Sequence, residues 1–160
     1  MDIERELHDL IAHRDIQAAI NDYMRGQDRL LPEVQLRAFH TDAHVDCGIF
    51  AGGPEEYVKF AQGFLAALES SHHLIGQTSI TVTGDNAEGE VYFLAQHRVK
   101  EDGAEKDLFV AGRYLDHYQR RNGVWKISRR KEVIDWARMD PASDSNFFSQ
   151  NSALHLGSRG

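Results

Sequence analysis

Ile75-Gly76-Gln77-Thr78-Ser79-Ile80-Thr81-Val82, followed by Gly84-Asp85-Asn86, is where the chain changes period. Upstream, apolar residues recur at helical spacing. Here β-branched residues crowd together and a turn cluster ends the run, which predicts a strand. The same reading extends outward. Residues 87–100 form a second long strand, with Val91, Phe93 and Ala95 on one face and Tyr92 and Leu94 on the other. Asp102-Gly103 turns into a third strand over 106–119, and Arg121-Asn122-Gly123 gives an Asn-Gly hairpin into a fourth over 124–136. Strands this long exceed the usual length of about 5–6 residues. They predict a strongly curved, mostly antiparallel sheet that wraps round something.

Towards the N-terminus, residues 3–29 read as helix, because Ile3, Leu7, Leu10 and Ile11 and then Ile16, Ala19, Ile20 and Tyr23 follow helical spacing. A break near His13-Arg14-Asp15 divides this stretch in two, with Asp15 as N-cap of the second helix. Gly26 weakens that helix near its end, and Pro32 opens a short third one through Phe39. Ala43 to Phe50 alternates as a strand, and Gly52-Gly53-Pro54 turns the chain. A helix then runs from Pro54 to about Leu68, with Tyr57, Phe60, Ala61, Phe64, Leu65 and Leu68 on one broad apolar face. Helices on one side of a curved sheet make a cone, so the expected fold is α+β with a single enclosed pocket. Residues 1–145 form this domain and 146–160 a polar tail, in which Phe147 and Phe148 are expected over the pocket mouth or a neighbouring subunit.

The 160 residues fit one domain. A net charge of −7 argues against nucleic acid as a partner. Basic residues cluster only at Arg120-Arg121 and Arg129-Arg130-Lys131, read for the most part as a solvated sheet face. Cys47 is the only cysteine, so neither an intrachain disulfide nor a thiolate zinc site is expected. The charged start, Met1-Asp2-Ile3-Glu4-Arg5-Glu6, lacks a signal peptide's apolar core, and no apolar run nears the roughly 20 residues that span a bilayer. A cytoplasmic protein with no membrane partner is the expectation.

Few residues offer chemistry. In Ser71-His72-His73-Leu74, adjacent side chains point to opposite faces, so only one histidine can face the pocket and the two cannot form a metal pair. His97 shares the apolar face of Val91, Phe93 and Ala95, where a histidine is by default a satisfied core residue. Asp28 closes the second helix, where a carboxylate is by default exposed and inert. Arg130 lies in a row with Lys126, Ser128, Glu132 and Ile134 whose direction the sequence leaves open. There is no metal-ligand spacing, phosphate loop, nucleophile elbow or dinucleotide fingerprint. What remains is carboxylate–imidazole proton transfer, with no metal and no cofactor.

Helices first, then His73-Leu74-Ile75-Gly76-Gln77, a strand ending Ala95-Gln96-His97-Arg98, and Asn122-Gly123-Val124-Trp125-Lys126-Ile127 followed by Asp135-Trp136 together resemble the SnoaL-like branch of the nuclear transport factor 2 superfamily. The likeness covers roughly residues 5–145 and is nearest to scytalone dehydratase and hexachlorocyclohexane dehydrochlorinase, with bile acid 7α-dehydratase further off. It implies a cofactor-independent lyase whose base is a histidine oriented by an aspartate. His73, with an amide at Gln77 four residues on, matches the catalytic histidine, and Asp28 matches its aspartate. Tyr23, His97 and Arg130 match further active-site positions of the bile acid enzyme, scytalone dehydratase and the dehydrochlorinase respectively. Gly112 and Tyr114 replace a serine and an asparagine of scytalone dehydratase, and Cys47 a tyrosine, which argues against scytalone as substrate. Ile134 falls near the bile acid enzyme's arginine, which argues against that chemistry too.

The resemblance implies that His73 takes a proton while Asp28 steadies the imidazolium, and that His97, Tyr23 or Arg130 helps the leaving group depart. Water, halide or a small carbonyl fragment are the leaving groups such dehydratases, dehydrohalogenases or deformylases release. Walls of Phe50, Phe60, Phe64, Val91, Phe93 and Tyr114 suit a small hydrophobic, aromatic or alicyclic substrate. A non-catalytic binding module of the same fold is the main alternative, and a ketosteroid-isomerase-like isomerase a lesser one. A homotrimer is the implied assembly, with a homodimer as second choice.

Overall fold

The computed structural model describes residues 2–144 together with 147 and 150. Helix α1 runs unbroken from Ile3 to Asp28. The expected break at residues 13–15 is absent, because no proline or glycine interrupts the turn there. Asp15 pairs with Arg14 at 2.8 Å instead of capping. The N-cap is Asp2, whose Oδ1 accepts the Arg5 amide at 3.3 Å. The two apolar sets lie on one rod but in different surroundings. Ile16, Ile20 and Tyr23 are buried, whereas Ile3, Leu7 and Leu10 stand in solvent.

Gly26 has a packing role, not the weakening one expected of it. A Cβ at this position would come within 2.5 Å of the Gln35 amide nitrogen, so its absence lets the end of α1 rest on α2, Pro32–Arg37. Strand β1, Phe39–Asp46, begins and ends about four residues earlier than expected. Gly48 at φ +81° turns the chain, and Ala51–Gly52, β2, pairs back on Val45 and Asp46. Helix α3 spans Pro54–Ala66.

The four long strands are β3 Ser70–Thr83, β4 Asn86–Glu101, β5 Ala104–Arg121 and β6 Val124–Pro141. Asp102-Gly103 and Asn122-Gly123 both hold positive φ at two successive residues, as tight hairpins that match strand twist require. The sheet order is β2-β1-β6-β5-β4-β3, antiparallel except where β1 runs parallel to β6. It is a six-stranded mixed sheet, curved but not closed, with the helices on its concave side.

Irregularities in pairing decide which side chains face inward. β6 buries Trp125 and Ile127, slips against β5 between His117 and Tyr118, and then buries Arg130. The slip reverses the alternation along β6. Arg130 thereby leaves the basic cluster for the interior, while Arg121, Arg129 and Lys131 remain exposed. Of the expected tail, only Phe147 and Gln150 belong to the described residues, so Phe148 and any cover over the pocket lie outside them.

Candidate active site

Asp28 is the last residue of α1, and that helix end lies over the start of β3. Its Oδ1 is 2.6 Å from His73 Nδ1, and its Oδ2 accepts the His73 backbone N–H at 2.9 Å. One carboxylate thus holds both the ring and the main chain of the same residue. Burial pushes the Asp28 pKa up, but the hydrogen bonds from the His73 ring and amide outweigh it and hold the carboxyl below its ordinary range. An ionised Asp28 accepts from Nδ1–H, which makes Nε2 the basic nitrogen of the His73 ring.

Cross-strand register extends the network. Ser71 lies opposite His97 and His73 opposite Ala95. The Ser71 hydroxyl is 3.0 Å from His97 Nδ1 and 3.4 Å from Asp28 Oδ1, so both histidines connect to one carboxylate. Their ring centroids are 5.3 Å apart. Both rings line a cavity of about 290 Å³ whose other walls are mainly apolar. Phe93 stacks on Tyr114 at 4.6 Å, and Phe60 and Phe64 come from α3. Among the described residues no group of three or more His, Cys, Asp or Glu is arranged to hold a metal ion. No helix among them is long and apolar enough to cross a membrane.

The profile of the SnoaL-like domain matches residues 8–131, which takes in most of α1, His73, His97 and the start of β6. The chain belongs to the SnoaL-like family. Its fold is shared by a scytalone dehydratase-like protein from Novosphingobium aromaticivorans DSM 12444. That pair is 25% identical over 84% of this chain and 91% of the other, with a TM-score of 0.72. A type 2 hexachlorocyclohexane dehydrochlorinase, LinA, is 22% identical over 97% of this chain and 99% of its own, with a TM-score of 0.76. LinA-type3 from Novosphingobium barchaimii LL02 is also 22% identical, over 86% and 94%, with a TM-score of 0.75. Among curated protein sequences none matches significantly.

Within this SnoaL-like cone, the residues singled out from the sequence fall into three layers. His73, His97, Phe60, Phe64, Phe93 and Tyr114 line the cavity, with Asp28 directly behind His73. Tyr23 and Arg130 lie one layer further back and are not part of the lining. The Tyr23 hydroxyl is 2.5 Å from that of Tyr57 and accepts from Gln27 at 3.0 Å, and burial pushes its pKa up to about 12. Arg130 lies between the rings of Tyr23 and Tyr114, 4.2 and 4.1 Å from their centroids. It spends Nε and one terminal nitrogen on Asp116, at 2.8 and 2.6 Å. Phe50 stacks behind Phe60, and Val91 is packed in the core away from the cavity. His72 faces outward, as the alternation of β3 requires, and so does Gln77.

Three polar positions at the site escaped the sequence reading of this SnoaL-like chain, and a fourth, Tyr57, was read only as apolar. Ser71 carried no signal until its register opposite His97 was known. Tyr57 was already on the apolar face of α3, and only its hydroxyl contact with Tyr23 is new. Gln27 lines the cavity beside Asp28. Glu132, also in the lining, shares the row of Arg130, so its direction depended on the slip in β6.

Proposed function

We propose that this protein is a cofactor-independent lyase that removes a small leaving group from an aromatic or alicyclic substrate, with His73 as base and Asp28 as the residue that orients it. The supporting observation is the 2.6 Å contact of Asp28 with His73 Nδ1 beside an otherwise apolar cavity. Burying an ionised carboxylate costs free energy unless it is paired, and carboxylates perturbed by a specific partner in a cleft cluster at functional sites. Nε2 of His73 accepts the substrate proton, and Asp28 stabilises the resulting imidazolium. The surrounding Phe60, Phe64 and Phe93 hold the ring of the substrate and exclude water. His97, tied through Ser71 to the same carboxylate, keeps the charge network oriented.

The test incubates purified, metal-stripped protein with a panel of hydroxylated and halogenated aromatic and alicyclic compounds, read by mass spectrometry. Loss of water, halide or a carbonyl fragment is expected. His73→Ala lowers turnover by about 10²–10⁴-fold. Asp28→Asn costs a similar factor and the double variant little more, because the pair acts as a unit. Turnover indifferent to both substitutions refutes the dyad, and no turnover of any compound in the panel favours a binding module.

A further inference from the structure

The cavity has a second polar end. Glu132 projects into it from β6, while His73 stands on β3, and β5 and β4 separate the two strands. Along the sheet that is three inter-strand steps of about 4.8 Å. The curvature of the sheet turns the separation into two facing walls of one 290 Å³ space. The carboxyl accepts no hydrogen bond and forms no salt bridge among the described residues. An acid without a partner in an apolar wall is costly as an anion and inexpensive as a neutral donor. The lasting charge that reaches it is Arg130 on its own strand; His73 across the cavity adds one only while it holds the substrate proton. Arg130 is already matched by Asp116. Its remaining neighbours are neutral. Burial drives Tyr57 and Tyr114 well above their usual pKa, and Cys47 beside β1 is raised as well. Burial likewise pushes Glu132 up, and the opposing effects of Arg130 and His73 do not cancel it.

We infer that Glu132 is the general acid of the site, which donates its proton to an oxygen leaving group at the end of the cavity opposite His73. This assignment rests on the dyad reading above and narrows the substrate class to compounds that expel oxygen. A halide departs unaided as an anion, whereas hydroxide and alkoxide need a proton to leave. In a dehydration, His73 Nε2 takes a proton from carbon and the freed electron pair forms the C=C bond. The C–O bond breaks, and the departing oxygen takes the Glu132 proton and leaves as water. The imidazolium then returns its proton to the Glu132 carboxylate through the water in the cavity. Atoms and charge balance, and no oxidant or reductant is consumed. A buried carboxyl held neutral so that it can donate is a known device for this purpose.

Two measurements test the assignment. Infrared spectra at neutral pH should show a protonated carboxyl band that Glu132→Gln removes, since the hydrogen bonds from His73 hold Asp28, the other carboxyl of the site, below its ordinary range. A band unchanged by the substitution, or none, overturns the proposal. The second uses 3-hydroxy- and 3-chloro-1-phenylpropan-1-one, from which base removes the same α-proton and water or chloride is lost to give one enone. Chloride leaves unaided and hydroxide does not. Glu132→Gln should lower kcat/KM about 10²-fold or more for the hydroxy compound and less than about 3-fold for the chloro compound. Rates that ignore His73→Ala defeat the dyad. Rates that need His73 but fall equally for both probes in Glu132→Gln defeat the general acid alone.

Discussion

Asp116→Asn is the substitution that separates structure from chemistry around Arg130. The guanidinium and its carboxylate are buried to 1% and 0% exposure, and their two contacts are 2.8 and 2.6 Å long. Asp116 also accepts the Tyr118 hydroxyl at 2.6 Å. With an amide in its place the guanidinium keeps its charge, and its two flanking rings offset only part of that loss. Breaking a buried pair from one side costs about 3–5 kcal/mol. At about 2–4 °C per kcal/mol for a chain of this size, the thermal midpoint should fall by about 6–20 °C. Urea unfolding should give the same loss as a lower midpoint with an unchanged slope. Replacing both partners by apolar residues, Arg130→Met with Asp116→Leu, should recover most of it. Only the Tyr118 hydroxyl is then left without a partner, at a cost of about 1–3 kcal/mol. A loss below about 1 kcal/mol in Asp116→Asn, the worth of a surface pair, would refute the argument. So would a double variant no more stable than the single one.

Stability against pH should show two opposite limbs. Asp28 has a depressed pKa in the folded state, so its contribution is present above the unfolded value of about 3.9 and is lost as pH falls through the lower native one. Glu132 has a raised pKa, so its contribution is full below about 4.3 and declines as pH rises through the native value. Urea midpoints measured across pH should therefore lose their acid-side slope in Asp28→Asn and part of their higher-pH decline in Glu132→Gln; unchanged profiles would contradict both assignments. Light scattering at micromolar concentration should give a trimer packed through the convex face that exposes Tyr92 and Leu94, or failing that a dimer, and a monomeric mass would count against either.

What could be read from the chain alone was the chemistry of short segments. Gly84, Asp102-Gly103 and Asn122-Gly123 take positive φ, a preference that resides in those residues, and the strands between them follow from alternation. That His72 and His73 face opposite ways follows in the same manner, while the choice of His73 as the inward one came from the family resemblance. Helix α1 shows where such reading fails. A local cap at Asp15 competes with continuation of the helix, and with no proline or glycine nearby the rod continues, its second half held by the core. Asp28 and His73 are 45 positions apart, and their contact exists because the end of α1 packs on β3. Tyr23 was placed by resemblance and Phe50 and Val91 by type and parity, yet each packs a layer away from the cavity, because curvature determines which inward residues reach open space. The fate of Arg130 and Glu132 depended on a pairing slip between β5 and β6. One displaced residue turns a row over, and it is set by the partner strand, not by the residues that it turns.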